Sequence, residues 1–150
     1  MARTERTAAV LLHSVAYGET DRIVTLLTEA HGKVAVMARG ARKSKRRFVG
    51  ALEPCALIEA EIALGQGSVG RLAEARVVRA FPGILSSLER ISIAAAGLEL
   101  ARETVGEAEE PDERLLPTIV RFFELLEESR ALVAVHLAFT LRLLAITGHA

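Results

Sequence analysis

The feature that most constrains the fold is a change of hydrophobic period near residue 80. Before that point apolar residues come in short runs separated by turn formers, and after Ser86 they recur at helical spacing. Ala8 to Val15 is a strand-length run ended by Tyr17-Gly18-Glu19, and Arg22 to Thr28 is rich in β-branched residues and leucine. His31-Gly32-Lys33 reads as a turn into a third strand, Val34 to Ala38, so these two runs form a hairpin. Ala56 to Leu64 puts Ile58 and Ile62 on one face and Glu59 and Glu61 on the other, which fits a strand, although a helix stays open. Gly65-Gln66-Gly67-Ser68 is a turn cluster, and Arg71 to Arg79 supplies a fifth strand.

Five short strands with glycine-rich turns predict a small barrel, and the five-stranded OB-fold is the commonest such binder. In the second half, Ser86 with Glu89 fits a capping box, followed at helical spacing by Ile91, Ala94, Ala95, Leu98 and Ala101. Gly106 and the acidic run Glu107 to Asp112 form a connector. Leu115 to Leu126 is a second helix, with Pro117 tolerable only in its first turn. Ser129 is expected to cap a third helix, Arg130 to Thr147, closed by Gly148. That helix is apolar nearly all round and is expected to sit centrally in a bundle. The domain boundary is placed at Phe81-Pro82-Gly83, giving a barrel domain over 1–80 and an all-α helical domain over 84–150.

A formal charge of zero over 150 residues conceals a split. Residues 1–79 carry thirteen Lys+Arg against eight Asp+Glu, a net of +5, and residues 80–150 carry six against eleven, a net of −5. The first half is therefore the candidate for phosphate contact. Its sharpest element is Arg39-Gly-Ala-Arg42-Lys43-Ser-Lys45-Arg46-Arg47, with six cations in nine residues and no acid between Glu29 and Glu53. Guanidinium forks suit bidentate phosphate contact, and a polyanion relieves the self-repulsion of so many like charges. The plain alternative is a solvated loop. Lys33, Arg71, Arg76 and Arg79 are candidates to extend the patch, although simple solvent exposure is at least as good a reading of each. Phe48 is placed either to stack on a base or to anchor the core, and Tyr17 is a weaker stacking candidate. With so few aromatics, binding is expected to be phosphate-dominated, sequence-tolerant and salt-dependent.

Other motifs point away from catalysis. Gly65-Gln66-Gly67-Ser68-Val69-Gly70 matches the dinucleotide fingerprint in letters, but strand-like sequence follows it where a helix is required. Glu19 and Asp21 sit in a turn beside Arg22, where a local structural role outweighs acid–base or Mg²⁺ chemistry. His13, His31, His136 and His149 lack ligand spacing, and His136 reads as a core residue. The single cysteine, Cys55, excludes an internal disulfide or a multi-cysteine zinc site in this chain and reads as a small buried apolar residue. No nucleophile, base and orienting group come together, so no enzyme is expected, and no cofactor or metal. Neither a signal peptide nor an apolar stretch of roughly 18 residues is read, which makes a cytoplasmic protein the default expectation. The leucine-, phenylalanine- and alanine-rich helices, with Phe122-Phe123 adjacent, are candidates for a partner-peptide groove, with core packing the commoner use of such residues.

The order of motifs resembles the RecO family of bacterial DNA repair proteins. The resemblance rests on Y-G-E-T-D-R at 17–22, H-G-K at 31–33, A-R-G-A-R-K-S-K at 38–45, G-A-L-E-P at 50–54, A-E-A-R-V-V-R-A-F at 73–81 and L-E-R-I-S-I-A-A-A-G-L-E-L-A-R-E at 88–103. It covers essentially the whole chain and is strongest over residues 7–80. It implies an OB-fold followed by a helical domain in a recombination mediator. Such proteins bind single- and double-stranded DNA, anneal complementary strands, and help RecA replace single-stranded-DNA-binding protein, usually together with RecR. The implied DNA contacts map onto Arg39, Arg42, Lys43, Lys45, Arg46 and Arg47. The implied docking surface for the acidic tail of single-stranded-DNA-binding protein lies in the helical domain. Family members commonly run further, often with a four-cysteine zinc element, so the helical domain is expected to be incomplete at its C-terminus. The alternatives are an RNA-binding OB domain and an interaction adaptor acting through the helical half.

Overall fold

The computed structural model describes residues 3–44, 46–107 and 110–148. Five strands, β1 (Glu5–Tyr17), β2 (Asp21–Thr28), β3 (Gly32–Ala38), β4 (Ala56–Ala63) and β5 (Gly70–Ala80), close into a barrel in the order β1-β2-β3-β5-β4. β1 pairs antiparallel with both β2 and β4, and β4 with β5. The closing seam between β3 and β5 is parallel and spans only Val36–Gly70 and Met37–Arg71. Gly70 permits this approach, because a Cβ there would stand 2.7 Å from the Ala63 carbonyl oxygen. A five-stranded OB-type barrel followed by helices is therefore the fold, and Ala56–Ala63 is a strand.

Alternation along the strands makes two cores. Ala9, Leu11, Val24, Leu26, Val36, Ile58, Ile62 and Leu72 fill the barrel. Val10, Leu12 and Leu27 point the other way and join Cys55 and the helices in a second core. A bulge in β1, where the pairing skips Leu12 between Leu11–Leu26 and His13–Thr25, changes the parity of the strand. Beyond it Ser14 pairs with Val24, a barrel-core residue, so Ser14 faces the barrel mouth.

The helical half holds α1 (Pro82–Leu85), α2 (Leu88–Thr104), α3 (Leu115–Glu128) and α4 (Leu132–Ile146). The barrel is packed by α2 and α3, while α4 packs on those two helices. Phe81, Phe122 and Phe123 are almost fully buried, and burial of each such ring stabilises by about 2–3 kcal/mol. The Phe122 and Phe139 rings stack at 4.0 Å between centroids, directly over Gly97, where a Cβ would meet Phe122 at 2.6 Å.

Three expectations need correction. The N-cap of α2 is Ser87, whose hydroxyl accepts from the Arg90 N–H, and not Ser86. Ser86 instead follows the short helix α1 begun by Pro82, and its hydroxyl donates to the Gly83 carbonyl. Ser129 ends α3 and does not cap α4, which starts three residues later at Leu132. Nor is α4 central: Leu132, Val135, Phe139 and Leu143 are buried, whereas Val133, Leu137 and Leu141 are exposed along the opposite face. Pro117 lies in the first turn of α3, where it costs no helical hydrogen bond.

Candidate nucleic-acid interface

The basic segment is the first part of the long connection between β3 and β4, over a barrel mouth plugged by Phe48. Its entry is pinned from below. The Asp21 carboxylate accepts from the Gly40 N–H at 2.7 Å and from the Thr20 hydroxyl at 3.0 Å, and the Arg42 N–H donates to the Thr20 carbonyl at 2.9 Å. Gly40 has φ +67°, a left-handed conformation that glycine adopts without strain. The Gly40 amide chiefly, with the Thr20 hydroxyl and the Arg39 charge, holds the Asp21 carboxyl below its usual range. Asp21 thus has a structural task, as its place beside Arg22 implies.

The exit is pinned too. The Arg47 carbonyl accepts from the Ala75 N–H of β5 at 2.9 Å, and the Arg47 guanidinium donates to the Arg39 carbonyl at 2.5 Å. That guanidinium also lies over the Phe48 ring, 4.9 Å from its centroid. Phe48 is only 5% exposed, so it anchors the core and is not a free stacking platform. Tyr17, at the open end of the β1–β2 ribbon, is 55% exposed and remains available for stacking.

Arg39, Arg42, Lys43, Arg46 and Arg47 are therefore gathered, exposed, on one tethered loop. Among the described residues no acid forms an ion pair with any of them. Lys45 lies outside the described residues. The other predicted cations fare differently. Arg71 is exposed at the start of β5, paired with Met37 just before the loop. Arg76 donates to Glu59 on the neighbouring strand at 3.1 Å, within a face where Arg6, Glu61 and Glu74 also lie. Lys33 points away from the patch and donates to the Arg102 carbonyl of α2 at 2.8 Å, tying β3 to a free carbonyl at the helix end. Arg79 is taken up by the helical half, bound to Glu124 at 2.8 Å and lying over Phe81.

Sequence reasoning missed two features. Arg22 reaches the barrel mouth and donates to the Ser14 hydroxyl at 2.7 Å, across the β1–β2 pairing beyond the bulge at Leu12. In the helical half, Arg114, Arg121 and Arg142, together with Glu29 and Glu113, rim a groove of about 770 Å³ whose apolar wall includes Phe122, Leu125, Val135 and Phe139; Arg121 lies 3.9 Å from Glu124, and Arg142 has no ion pair among the described residues. The apolar helices with Phe122-Phe123 had pointed to a partner-peptide groove; what went unseen was its arginine rim, for which the lone charge of Arg142 on an apolar helix was the one signal. Arg114 is held by Asp112 at 2.7 Å, and those hydrogen bonds bring the Asp112 carboxyl down to about 2. Cys55 is buried with φ +64°, and burial pushes its thiol up to about 11, which suits an inert packing residue. No group of three or more metal-ligating side chains occurs among the described residues, and no helix is long and apolar enough to cross a membrane.

Comparison with known proteins accords with this architecture. The family description "Recombination protein O N terminal" matches residues 1–81, and "Recombination protein O C terminal" matches residues 85–150. The DNA repair protein RecO of Anaeromyxobacter sp. (strain K) is 43% identical over 140 residues, which cover 93% of this chain and 55% of that protein. The corresponding protein of Myxococcus xanthus is 41% identical, covering 93% and 57%. That of Geobacter sulfurreducens is 38% identical over 144 residues, covering 96% and 58%. The chain thus spans rather more than half the length of the curated relatives it matches. On both its barrel and its helices, this chain belongs to the recombination protein O family.

Proposed function

We propose that this chain is the DNA-contacting part of a recombination mediator in DNA repair. The observation that carries the reading is the tethered loop, five exposed cations without acid partners among the described residues, on an OB barrel of this family. Arg71 continues the same patch in this reading, and Lys45 adds a cation to the same run of sequence. Contacts made by guanidinium and ammonium groups follow phosphates, which single and double strands share, so both are ligands. Screening complementary strands from each other with such a surface promotes their annealing. In this reading these 150 residues act by binding and not by catalysis, and need no cofactor or metal of their own to do so, in the bacterial cytoplasm at the nucleoid.

The groove on α3 and α4 suits the second half of the task. Its apolar wall with an arginine rim matches a short acidic peptide carrying apolar residues, the chemistry of the C-terminal tail of single-stranded-DNA-binding protein. Docking there brings the DNA loop to strands coated by that protein, from which RecA loading with RecR follows.

Strand annealing on DNA coated with single-stranded-DNA-binding protein tests the two surfaces together. Neutralising Arg42, Lys43, Arg46 and Arg47 is expected to abolish annealing and to flatten the salt dependence of DNA binding by about one unit per lost phosphate contact. Unchanged DNA affinity in that variant sinks the reading. A clear preference for RNA over DNA of equal length redirects it to an RNA-binding protein.

A further inference from the structure

A second ligand site lies under the basic loop, and its assignment rests on the DNA reading above. Between β1, the connection from Ala41 to Pro54, and α2 there is a cavity of about 740 Å³, within the range of small-molecule sites. The cavity is two-sided in chemistry. Phe48, Leu52 and Leu98 give it an apolar lining. Arg22 and Arg42 give it positive charge, and Glu53 on its rim is its acid.

Arg22 is the informative group. It is partly buried, and its Nε is committed to Ser14, which fixes the direction of the side chain. Its two terminal nitrogens have no acceptor among the described residues, so a planar fork stands ready for a bidentate anion. Arg42 is held at the same cavity by the Gly18 carbonyl at 3.2 Å and by its own amide. Two oriented cations beside an apolar lining match a phosphate joined to a flat ring. Ser14, Ser44 and Glu53 bring hydroxyl and carboxylate groups to the same lining, which suits the polar edge of such a ring.

We infer that this cavity holds one unstacked nucleotide of the bound strand, with its phosphate on Arg22 and Arg42 and its base against Leu52 at the apolar side of the cavity, without stacking on the buried Phe48 ring. A base in a duplex is paired and stacked and must be turned out before it can enter, whereas a single strand offers unstacked bases freely. The loop therefore binds either form of DNA, and the cavity favours the single strand.

The test uses the full chain and a short single strand bearing one 2-aminopurine, a base that brightens when unstacked, with the matching duplex as control. Wild-type protein is expected to brighten the single strand. Arg22→Gln and the cavity-filling Leu52→Trp are expected to remove the brightening and to lower single-strand affinity by about tenfold, with duplex affinity within about twofold. Two variants on different walls, each checked by circular dichroism, separate loss of the site from loss of the fold. Equal losses on single strand and duplex overturn the inference, as does brightening that survives both changes. Competition by free deoxyadenosine monophosphate without strand brightening assigns the cavity to a free nucleotide and overturns the strand claim. If neutralising the loop weakens DNA binding while both cavity variants behave as wild type, the cavity inference alone fails. If the wild-type chain binds neither DNA, the DNA reading fails and takes the inference with it.

Discussion

Two parts of the barrel are rich in arginine, and they present that charge in opposite ways. On the β1-β4-β5 face, Arg6 and Arg76 alternate with Glu59, Glu61 and Glu74, and Arg76 is already bound to Glu59. On the β3–β4 loop, none of the five described cations forms an ion pair among the described residues, and only Arg46 and Arg47, at its exit, border the pocket that holds Glu59, Glu61 and Glu74. The strand face follows from cross-strand pairing, which sets Arg6 opposite Glu61 and Glu59 opposite Arg76. A loop has no such partner strand, so its charges add to an outward field. Counting cations does not locate a phosphate site; what matters is which cations lack a neighbour of opposite sign.

The sharpest way to break this comparison is to neutralise each region in turn. Replacing Arg42, Lys43, Arg46 and Arg47 with glutamine is expected to weaken DNA binding by on the order of a hundredfold at moderate salt. The double change Arg6→Gln with Arg76→Gln is expected to move it by less than about threefold. Fluorescence anisotropy across a salt series reads both, and similar losses in the two variants would erase the distinction.

Lys33 provides the next test, since it lies on the barrel but serves the helices. Lys33→Met is expected to leave DNA affinity within about twofold. It should cost about 1 kcal/mol of stability, a fall in Tm of about 2–4 °C by calorimetry. A DNA defect without a stability change would return Lys33 to the patch.

A smaller effect is expected in the reverse direction. Glu59→Gln, Glu61→Gln and Glu74→Gln together leave Arg6 and Arg76 without their acids, and DNA affinity should rise by about three- to tenfold at low salt. A flat response would mean that the strand face is too far from the DNA path for its charge to matter.

The smallest effect concerns pH. Asp21 has a folded-state pKa below its unfolded value of about 3.9, so its contribution is present above that pH and is lost as pH falls through the depressed folded value. The stability gap between wild type and Asp21→Asn should be constant from about pH 5 to 8 and narrow below about pH 4. Thermal melts over that range check it, and a gap that widens on acidification would contradict the role given to the carboxylate.

The strands were legible because each alternates or clusters apolar residues between glycine-bearing turns, and the basic loop was legible because charge density needs no structure to be seen. The Ser86-Ser87 pair offered two cap registers, since Glu89 and Arg90 each stand three residues on; the short helix from Pro82 takes up Ser86 and leaves Ser87 to cap. Nor could composition show that α4 buries one stripe and exposes another, because that depends on where α2 and α3 lie. The destinations of Lys33 and Arg79 were hidden for the same reason: their partners, Arg102 and Glu124, are distant in sequence. The cavity was least visible of all, since it is assembled from β1, the long loop and α2.

The bulge at Leu12 makes β1 read as two half-strands of opposite phase, joined by a single supernumerary residue. Without Leu12 the pairing would run on unbroken from Leu11–Leu26 through His13–Thr25 to Ser14–Val24, so Ser14 and Arg22 would keep their places. What the extra residue adds is a large apolar side chain directed into the core shared with the helices, from a strand whose Ala9 and Leu11 serve the barrel. In a lineage of such chains, position 12 should therefore accept other large aliphatic residues and resist polar ones, because its side chain, and not the length of the strand, ties the barrel to the helical half.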